Sequence, residues 1–358
     1  MPSLKEIKGR INSISSTLAI TSAMKMVAAA KLQKAQMAIQ NMLPYERRLH
    51  SMLLDLMGAM NISAAASEDG SVRGSGSAER GFDQSGDRLS LSNRHDLAGM
   101  DGAYSLMAQR EVRKVAIVAF ASNSSLCGAF NSNVIREATA VINEYRASGL
   151  GDADITVYSV GRKMAEAMKK LGFPSPADFT KMSDSPSYEA ASALAQELLD
   201  GFVSGRFDKV ELVYNHYKST SSQPTIRQTY LPLSLADATA DIQVGKITDS
   251  ASESDTNRGA EPVGAPVVRQ GSPTTEDLIV EPSKEALIAT LLPKVIRLRI
   301  FTTLLDSAAA EHAARTVAMQ LATDNGNDLL QELTLEYNKG RQQKITSEIL
   351  DLVGGSMQ

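Results

Sequence analysis

Leu4-Lys-Glu-Ile-Lys-Gly-Arg-Ile-Asn-Ser-Ile14, near the N-terminus, begins the pattern that decides the fold. With Leu4 at heptad position a and Ile7 at position d, the same register continues to Met60, and fourteen of its seventeen a and d positions are apolar. A strict seven-residue repeat on an α-helix predicts a left-handed supercoil with a partner helix. At ~1.5 Å per residue the segment would be about 85 Å long, too long for the core of a compact domain.

Three local features refine this N-terminal helix. Ser3 and Glu6 fit a capping box at its start, and Pro44 predicts a kink near residues 40–43. Through Met57 the segment carries eight Lys and Arg against three Asp and Glu, which leaves open an acidic protein, an anionic lipid, nucleic acid or only a solvated face. The small residues of Val27–Ala30 make a slim helix, which favours close packing inside a sleeve.

A second long helix is predicted over residues 283–353. Its apolar residues are mostly three and four positions apart, and Pro293 predicts a bend near its start. Gly326 and Gly340 weaken a helix by about 1 kcal/mol each relative to Ala, and the sequence gives no reason for them unless something packs close there. The simplest way to bury both apolar stripes is to wind the two helices around each other in antiparallel orientation.

Between the helices, short apolar runs alternate with amphipathic segments. This alternation predicts a small α/β domain with a largely parallel sheet. The predicted strands are 112–120, 155–160, 209–214 and 225–233, and the predicted helices are 131–147, 161–171 and 188–203.

Two polar stretches, 61–111 and 237–282, lack this periodicity, and Ser67–Ser90 has the composition of a disordered insert. We therefore divide the chain into an N-terminal coiled-coil helix (1–60), an α/β domain (112–236) and a C-terminal coiled-coil helix (283–358), separated by the two inserts. The predicted fold class is α/β, with a long antiparallel coiled coil and a Rossmann-like domain.

Composition excludes several classes of protein. The net charge of −4 and pI of about 5.7 argue against a nucleic-acid binder, and the single Cys127 excludes an intramolecular disulfide. The best apolar run, Val115–Ala121, is far shorter than the ~18 residues of a membrane span. Any membrane association is therefore expected through a partner.

No catalytic motif emerges from the sequence. It has neither a G-x-x-x-x-G-K-[ST] loop nor a G-x-G-x-x-G motif after the first strand, and its four histidines are scattered. Cys127 is expected to be a small buried residue. The turn Ala121–Asn131 is expected to be an ordinary strand-to-helix turn capped by Asn131 or Ser132, with an anion site as the alternative. No catalytic residue, cofactor or metal is predicted.

Several strings resemble the gamma subunit family of F-type ATP synthases. Ile20-Thr-Ser-Ala-Met-Lys-Met-Val-Ala-Ala-Ala-Lys-Leu32 is similar to the family's N-terminal signature. Glu311-His-Ala-Ala-Arg-Thr-Val-Ala-Met319, Ala322–Gly326, Tyr337–Arg341 and Ile345–Glu348 resemble its C-terminal signature. Ser125–Asn131 resembles the turn after its first strand. The resemblance spans about 1–60, 112–236 and 280–358.

This resemblance implies a central rotor shaft without a catalytic site or cofactor. In the family the helix pair fills a ring of three alpha and three beta subunits, and the α/β domain docks on the epsilon subunit and the c-ring. Rotation driven by protons then couples to ATP synthesis at the alpha–beta interfaces. The implied location is peripheral, on the cytoplasmic face of the plasma membrane.

The resemblance also implies a set of residues that couple rotation to catalysis through a beta-subunit loop. These residues are expected to lie close together, with position 24 beside positions around 342; they are Met24, Lys25, Arg315, Arg341, Gln342, Thr346 and Glu348. Ala19 and Ser22 stand where the family usually has lysine, Asn123-Ser-Ser125 stands where it has Asp-Arg-Gly, and Gly340 where it commonly has alanine.

Two other functions remain open from the residues alone. The heptads and domain order fit a non-rotary coiled-coil scaffold with an α/β docking domain equally well. An enzyme that binds nucleotide or nucleic acid on the α/β domain is disfavoured by the missing glycine-rich loop.

Overall fold

The computed structural model describes residues 3–59, 106–107, 109–233, 281 and 283–356. Two long helices, α1 (Leu4–Ala59) and α6 (Lys284–Ser356), flank a small α/β domain. In chain order the domain contains β1 (Val115–Phe120), α2 (Phe130–Ala147), β2 (Ile155–Val160), α3 (Arg162–Lys170), α4 (Thr180–Asp184), α5 (Tyr188–Val203), β3 (Lys209–Asn215) and β4 (Thr225–Leu231). Most of the two predicted polar inserts, including Ser67–Ser90, lies outside the described residues.

The two long helices pack against each other in antiparallel orientation, as the heptads predicted. Thr302 Oγ1 donates to Glu46 Oε1, and Lys25 Nζ donates to Gln320 Oε1. A residue nearer the N-terminus of α1 therefore contacts a residue nearer the C-terminus of α6. Each of the sixteen described a and d positions of α1 is buried or half-buried, and none is exposed. The heptad register is therefore confirmed along the whole helix.

Close approach of the helices explains the two glycines of α6. A Cβ at Gly326 would lie 2.6 Å from Leu18 Cδ2, and a Cβ at Gly340 would lie 3.2 Å from Leu4 Cδ2. Glycine lowers helix propensity, but at these two positions a leucine side chain of α1 occupies the space that a Cβ would need.

The ends and prolines of the helices are also resolved. Ser3 Oγ accepts a hydrogen bond from the backbone N–H of Glu6 at 3.3 Å, which caps α1. Pro44 and Pro293 both lie inside continuous helices.

The sheet has the strand order β2-β1-β3-β4, in which β1 pairs in parallel with β2 and β3, and β4 is antiparallel to β3. The largely parallel sheet is therefore confirmed. All six residues of the central strand β1 are buried, because helices cover both faces of the sheet.

One of these faces joins the α/β domain to the long helices. Its core combines sheet residues with α5, the C-terminal part of α1 (Leu49, Leu53 and Leu56) and residues 288–304 of α6. The opposite face is covered by α2 and α3. The free part of the helix pair therefore extends away from a domain in which both helices are anchored.

No helix among the described residues combines the length and the apolar character needed to cross a membrane.

Candidate functional site

The turn after β1 is shaped by Asn131, which does not cap α2 as predicted. The helix begins at Phe130, and its N-cap Ala129 makes no side-chain hydrogen bond. Asn131 Oδ1 accepts from the backbone N–H of Ser122 at 3.0 Å, and Asn131 Nδ2 donates to the carbonyl of Ser124 at 3.2 Å. The amide is used to close the turn, so the predicted cap at Asn131 or Ser132 was wrong.

Cys127 lies inside this turn and is almost completely buried, as predicted. Its sulfur lies 3.2 Å from Asn131 Nδ2 and 3.7 Å from Ser122 Oγ. These neighbours are amide and hydroxyl groups, which offer no base for a nucleophilic thiol.

Helix α6 covers the carboxyl ends of β1 and β2, the edge where open α/β sheets usually bind ligands. Ser307, Ala308 and Glu311 of α6 enclose a cavity there with Ala121 and Val160. Its volume of about 10 Å³ accommodates roughly one water molecule. Ligand pockets are usually ~300 Å³ or larger, so this cavity is too small for a nucleotide.

Arg315 links α6 to the turn after β1. Its guanidinium donates to Ser124 Oγ at 2.6 Å and lies 2.8 Å from Glu311 Oε1. Burial raises the pKa of Glu311, although the Arg315 charge opposes this rise. Burial, together with Arg315 and Lys31, lowers the pKa of the neighbouring His312 to about 4, so its imidazole is neutral at pH 7.

Met24 and Lys25 lie on α1, nearer its N-terminus than the residues that pack against the α/β domain. Met24 is 41% exposed, and Lys25 Nζ donates to Gln320 Oε1 on α6 at 2.8 Å. Thr21, one turn earlier, faces Thr323. Thr21 and Lys25 therefore face the segment of α6 that begins just after Arg315, and Met24 is exposed between them.

Arg341, Gln342, Thr346 and Glu348 lie much farther along the coiled coil. Gly340 is already opposite Leu4, so all four residues lie beside or beyond the start of α1. About twenty residues separate Gln320, the partner of Lys25, from Arg341, which corresponds to ~30 Å along a helix. The expected proximity of position 24 to positions around 342 was therefore wrong.

These four residues are exposed on a part of α6 that continues beyond the first described residue of α1. Among the described residues, Thr346 Oγ1 donates only within its own helix, to the carbonyl of Gln342, and Lys344 and Glu348 form an exposed ion pair at 3.7 Å. We call residues 342–353 the terminal segment of α6. Its polar side chains are available to contact another molecule.

Large apolar side chains are also exposed along the helix pair away from the domain. On α1 they include Ile20, Met24, Met26 and Val27, and on α6 they include Leu321, Leu329, Leu335, Ile345, Ile349, Leu350, Leu352 and Val353, with Leu352 74% exposed. Contiguous exposed apolar surface is typical of a region that another protein covers. Ile345, Ile349 and Leu352 belong to the apolar stripe of the second helix that was expected to be buried in the helix pair, so that expectation was wrong for them. Ile20, Met26 and Val27 lie outside the a and d positions of α1.

Within the described residues, no group of three or more His, Cys, Asp or Glu side chains is arranged to hold a metal ion.

Comparisons with known proteins agree with this architecture. A family model described as ATP synthase matches residues 3–357. The ATP synthase gamma chains of Phocaeicola vulgatus and Bacteroides thetaiotaomicron are 47% and 45% identical to this chain, with all of both chains covered in each case. A chain of the Euglena gracilis mitochondrial ATP synthase (OSCP/F1/c-ring, rotational state 3) has a similar fold, with a TM-score of 0.52 and 18% identity over 99% of this chain and 93% of that chain. This chain therefore belongs to the ATP synthase gamma chain family.

Proposed function

We propose that this chain is the central rotor shaft of an F-type ATP synthase and has no catalytic site of its own. In this function the helix pair turns inside a ring of alpha and beta subunits, and ATP is made on those subunits. The α/β domain contacts the epsilon subunit and the c-ring, whose proton-driven rotation turns the shaft. The chain is peripheral, on the cytoplasmic face of the plasma membrane.

The observation that carries this proposal is the exposed apolar surface of the helix pair. A water-exposed helix is ordinarily polar on its outer face, but Met26, Val27 and Leu352 are each more than half exposed. A surrounding sleeve of subunits would cover these residues. The names of the full-length relatives and the F1/c-ring assembly named for the Euglena structure support the same function.

Coupling requires that each orientation of the shaft favour a different set of conformations in the surrounding subunits. We propose that two separate regions of the shaft make these differential contacts. Met24, Lys25 and Arg315 form the region nearer the domain, and Arg341, Gln342, Thr346 and Glu348 form the region at the far end. The ~30 Å between the two regions supports contacts with different parts of the sleeve.

A pull-down of the tagged full-length chain from its native membranes tests the proposal. We expect alpha and beta subunits in equal amounts, each in roughly threefold excess over this chain, together with epsilon. A purified complex should also rotate a probe attached to the α/β domain when ATP is added. Recovery of the chain without ATPase subunits would instead favour a non-rotary coiled-coil scaffold.

A matched pair of variants locates the contact. Leu352→Glu places a charge on the apolar surface of the terminal segment, whereas Glu166→Gln changes an exposed residue of α3. We expect the first variant to recover less alpha and beta subunit and the second to recover the wild-type amount. Equal recovery by both would contradict a sleeve around the terminal segment.

A further inference from the structure

Residues 215–217, where β3 ends, contact both long helices, and we call them the β3 exit segment. Asp306 of α6 binds this segment with both carboxylate oxygens. Oδ2 lies 2.6 Å from His216 Nδ1, and Oδ1 accepts from the backbone N–H of Tyr217 at 2.9 Å. The Tyr217 hydroxyl accepts from Gln36 Nε2 of α1 at 2.7 Å. One short segment of the α/β domain is thus hydrogen-bonded to each helix of the coiled coil.

Packing around Tyr217 connects the same three parts of the molecule. Its side chain contacts a cluster formed by Leu32 of α1 with Ala309 and Ala313 of α6. It also contacts a second cluster, formed by Cys127 and Phe130 with Ala310 of α6. Tyr217 therefore fills the corner at which the domain, α1 and α6 meet.

The β3 exit segment is held firmly to the sheet. Asn215 Nδ2 donates to the carbonyl of Phe130 at 3.1 Å, and Asn215 Oδ1 accepts from Thr225 Oγ1 at 2.6 Å. The backbone N–H of His216 donates to the carbonyl of Pro224 at 2.9 Å. A force on the domain is therefore transmitted to Tyr217 without a flexible loop in between.

The β3 exit segment contacts α6 at Asp306, close to the end of the large core shared by α6 and the domain. The large apolar core between α6 and the domain ends at Leu304, two residues before Asp306. Apolar packing holds surfaces together but is non-directional, whereas hydrogen bonds to a carboxylate fix distance and angle. Other hydrogen bonds also join α6 to the domain, from the Tyr230 hydroxyl to the Ile296 carbonyl and from Arg315 to Ser124 Oγ, but the β3 exit segment is bonded to both long helices.

We propose that the β3 exit segment, with Asp306 and Gln36, is the joint that fixes the rotational position of the helix pair relative to the α/β domain. Torque then passes between domain and coiled coil through positioning residues on both helices. This inference rests on the proposed rotor function and adds to it the residues through which torque passes.

The ion pair in this joint also depends on pH. The hydrogen bond to Asp306 raises the pKa of His216, while burial and the neighbouring Lys218 oppose the rise. Asp306 on α6 and Lys218 in the same loop are the charged groups that act on His216. Because the pKa is raised above its usual value of 6.5, the ion pair is fully formed below about pH 6.5 and is lost as pH rises through the raised pKa. The joint should accordingly loosen at higher pH.

Angular fluctuation of the domain in a stalled complex tests this joint directly. The complete ATPase complex is fixed through its alpha and beta subunits, and a probe is attached through Lys169→Cys, an exposed position on α3. The native Cys127 is buried and should not compete for the probe. The width of the angular distribution at thermal equilibrium increases as the torsional stiffness between domain and coiled coil decreases.

We expect broader angular distributions for Asp306→Ala and Tyr217→Phe than for wild type. Asp152→Ala is the matched control, since it removes an ion pair of the same length (Arg146–Asp152, 2.6 Å) from an exposed surface of the same domain. The control should keep the wild-type width. His216→Lys, which keeps a positive charge at all relevant pH values, should keep a narrow distribution at a pH where wild type broadens.

Wild-type widths for both Asp306→Ala and Tyr217→Phe would overturn the joint, even if their melting temperatures fell. Should Asp306→Ala fail to assemble, Tyr217→Phe decides, because it removes a single hydroxyl. A wild-type complex that does not rotate on ATP would refute the proposed function itself, which is a separate outcome from wild-type rotation with unaltered variants.

Discussion

Gly161 connects β2 to α3 at a point where the chain has no room for a side chain. Its φ is 98°, and a Cβ built there would lie 2.1 Å from the carbonyl oxygen of Ala121. Gly172 has a similar φ of 92°, but nothing lies within 4 Å of its Cβ position. An alanine at either position would therefore have a strained backbone, but only at position 161 would its Cβ clash with a neighbouring atom.

Comparing Gly161→Ala with Gly172→Ala separates these two effects. Backbone strain alone should cost Gly172→Ala about 1–2 kcal/mol. The clash with Ala121, whose backbone cannot move aside, should bring the loss for Gly161→Ala above ~4 kcal/mol. Urea unfolding of the full-length chain measures both, and equal losses would contradict the close approach.

Glu211 is a buried carboxylate in β3 with three polar partners. Lys209 Nζ lies 2.6 Å from it, Arg227 Nε donates at 2.7 Å and the Tyr145 hydroxyl donates at 2.6 Å. Burial by itself would raise the pKa of Glu211, but the hydrogen bonds from these partners lower it below its usual value of 4.5. Its stabilising effect is therefore complete above about pH 4.5 and is lost as pH falls through the lowered pKa.

Glu211→Gln should lower the free energy of unfolding by about 2 kcal/mol at pH 7, because it removes charge-assisted hydrogen bonds. The difference from wild type should shrink below pH 4.5, as the wild-type carboxylate is itself protonated. Urea midpoints at pH 7 and at a pH below 4.5 give this comparison. Glu336→Gln, at an exposed position of α6, makes the same chemical change and serves as the control; it should stay within about 0.5 kcal/mol of wild type at pH 7. A difference that stayed constant with pH would argue against a lowered pKa.

At the scale of the element, Ala28 and Ala29 are neighbours on α1 with opposite environments. Ala28, at a d position, is 2% exposed against α6, whereas Ala29 faces solvent. A leucine has no space at position 28 unless the helices move apart, and overpacking of this kind costs about 1–3 kcal/mol. We expect Ala28→Leu to lower the melting temperature of the full-length chain and Ala29→Leu to leave it nearly unchanged. The reverse order would show that the heptad register is wrong.

The same element shows how far sequence reasoning reaches. The heptad pattern identified the buried face of α1. The apolar pattern of the sequence also predicted the bounds of strand β2 and helix α5, because buried residues follow the period of each element. The five-residue helix α4 was missed, since its length is too short to show a helical period. Asn131 was misassigned because an asparagine near a helix start can cap the helix or close the preceding turn.

Axial register between the two helices could not be predicted from the heptads. Successive heptads are nearly equivalent, so a shift of one repeat buries a similar apolar surface. In the structure the register is marked by the close approach of Leu18 to Gly326 and of Leu4 to Gly340, where a Cβ would lie 2.6 Å and 3.2 Å from the leucine side chains. This is why Met24 was wrongly expected beside Gln342, although the antiparallel orientation was correct.

At the scale of the whole molecule, packing decreases steadily along α6. Residues 288–304 share the large core with the sheet and with the end of α1. Farther along, contacts with the domain continue at Asp306, Ala310 and Arg315. The helix then lies along α1 at Gln320 and Gly326, and residues 342–353 are exposed. Since local opening is easiest where few apolar contacts are buried, stability should decrease in the same order.

Hydrogen exchange of the full-length chain should therefore show a gradient along one continuous helix. Amides of 288–304 should exchange with the free energy of global unfolding, those of 309–340 faster, and those of the terminal segment fastest. Leu53→Ala, which opens a cavity in the core at a cost of about 2–5 kcal/mol, should reduce protection at 288–304 and leave the terminal segment unchanged. Uniform protection along α6 would contradict this, because it would require contacts beyond Gly340 that the described part of α1 does not reach. Addition of alpha and beta subunits should raise protection from hydrogen exchange most strongly in the terminal segment, because those subunits would cover its exposed apolar residues.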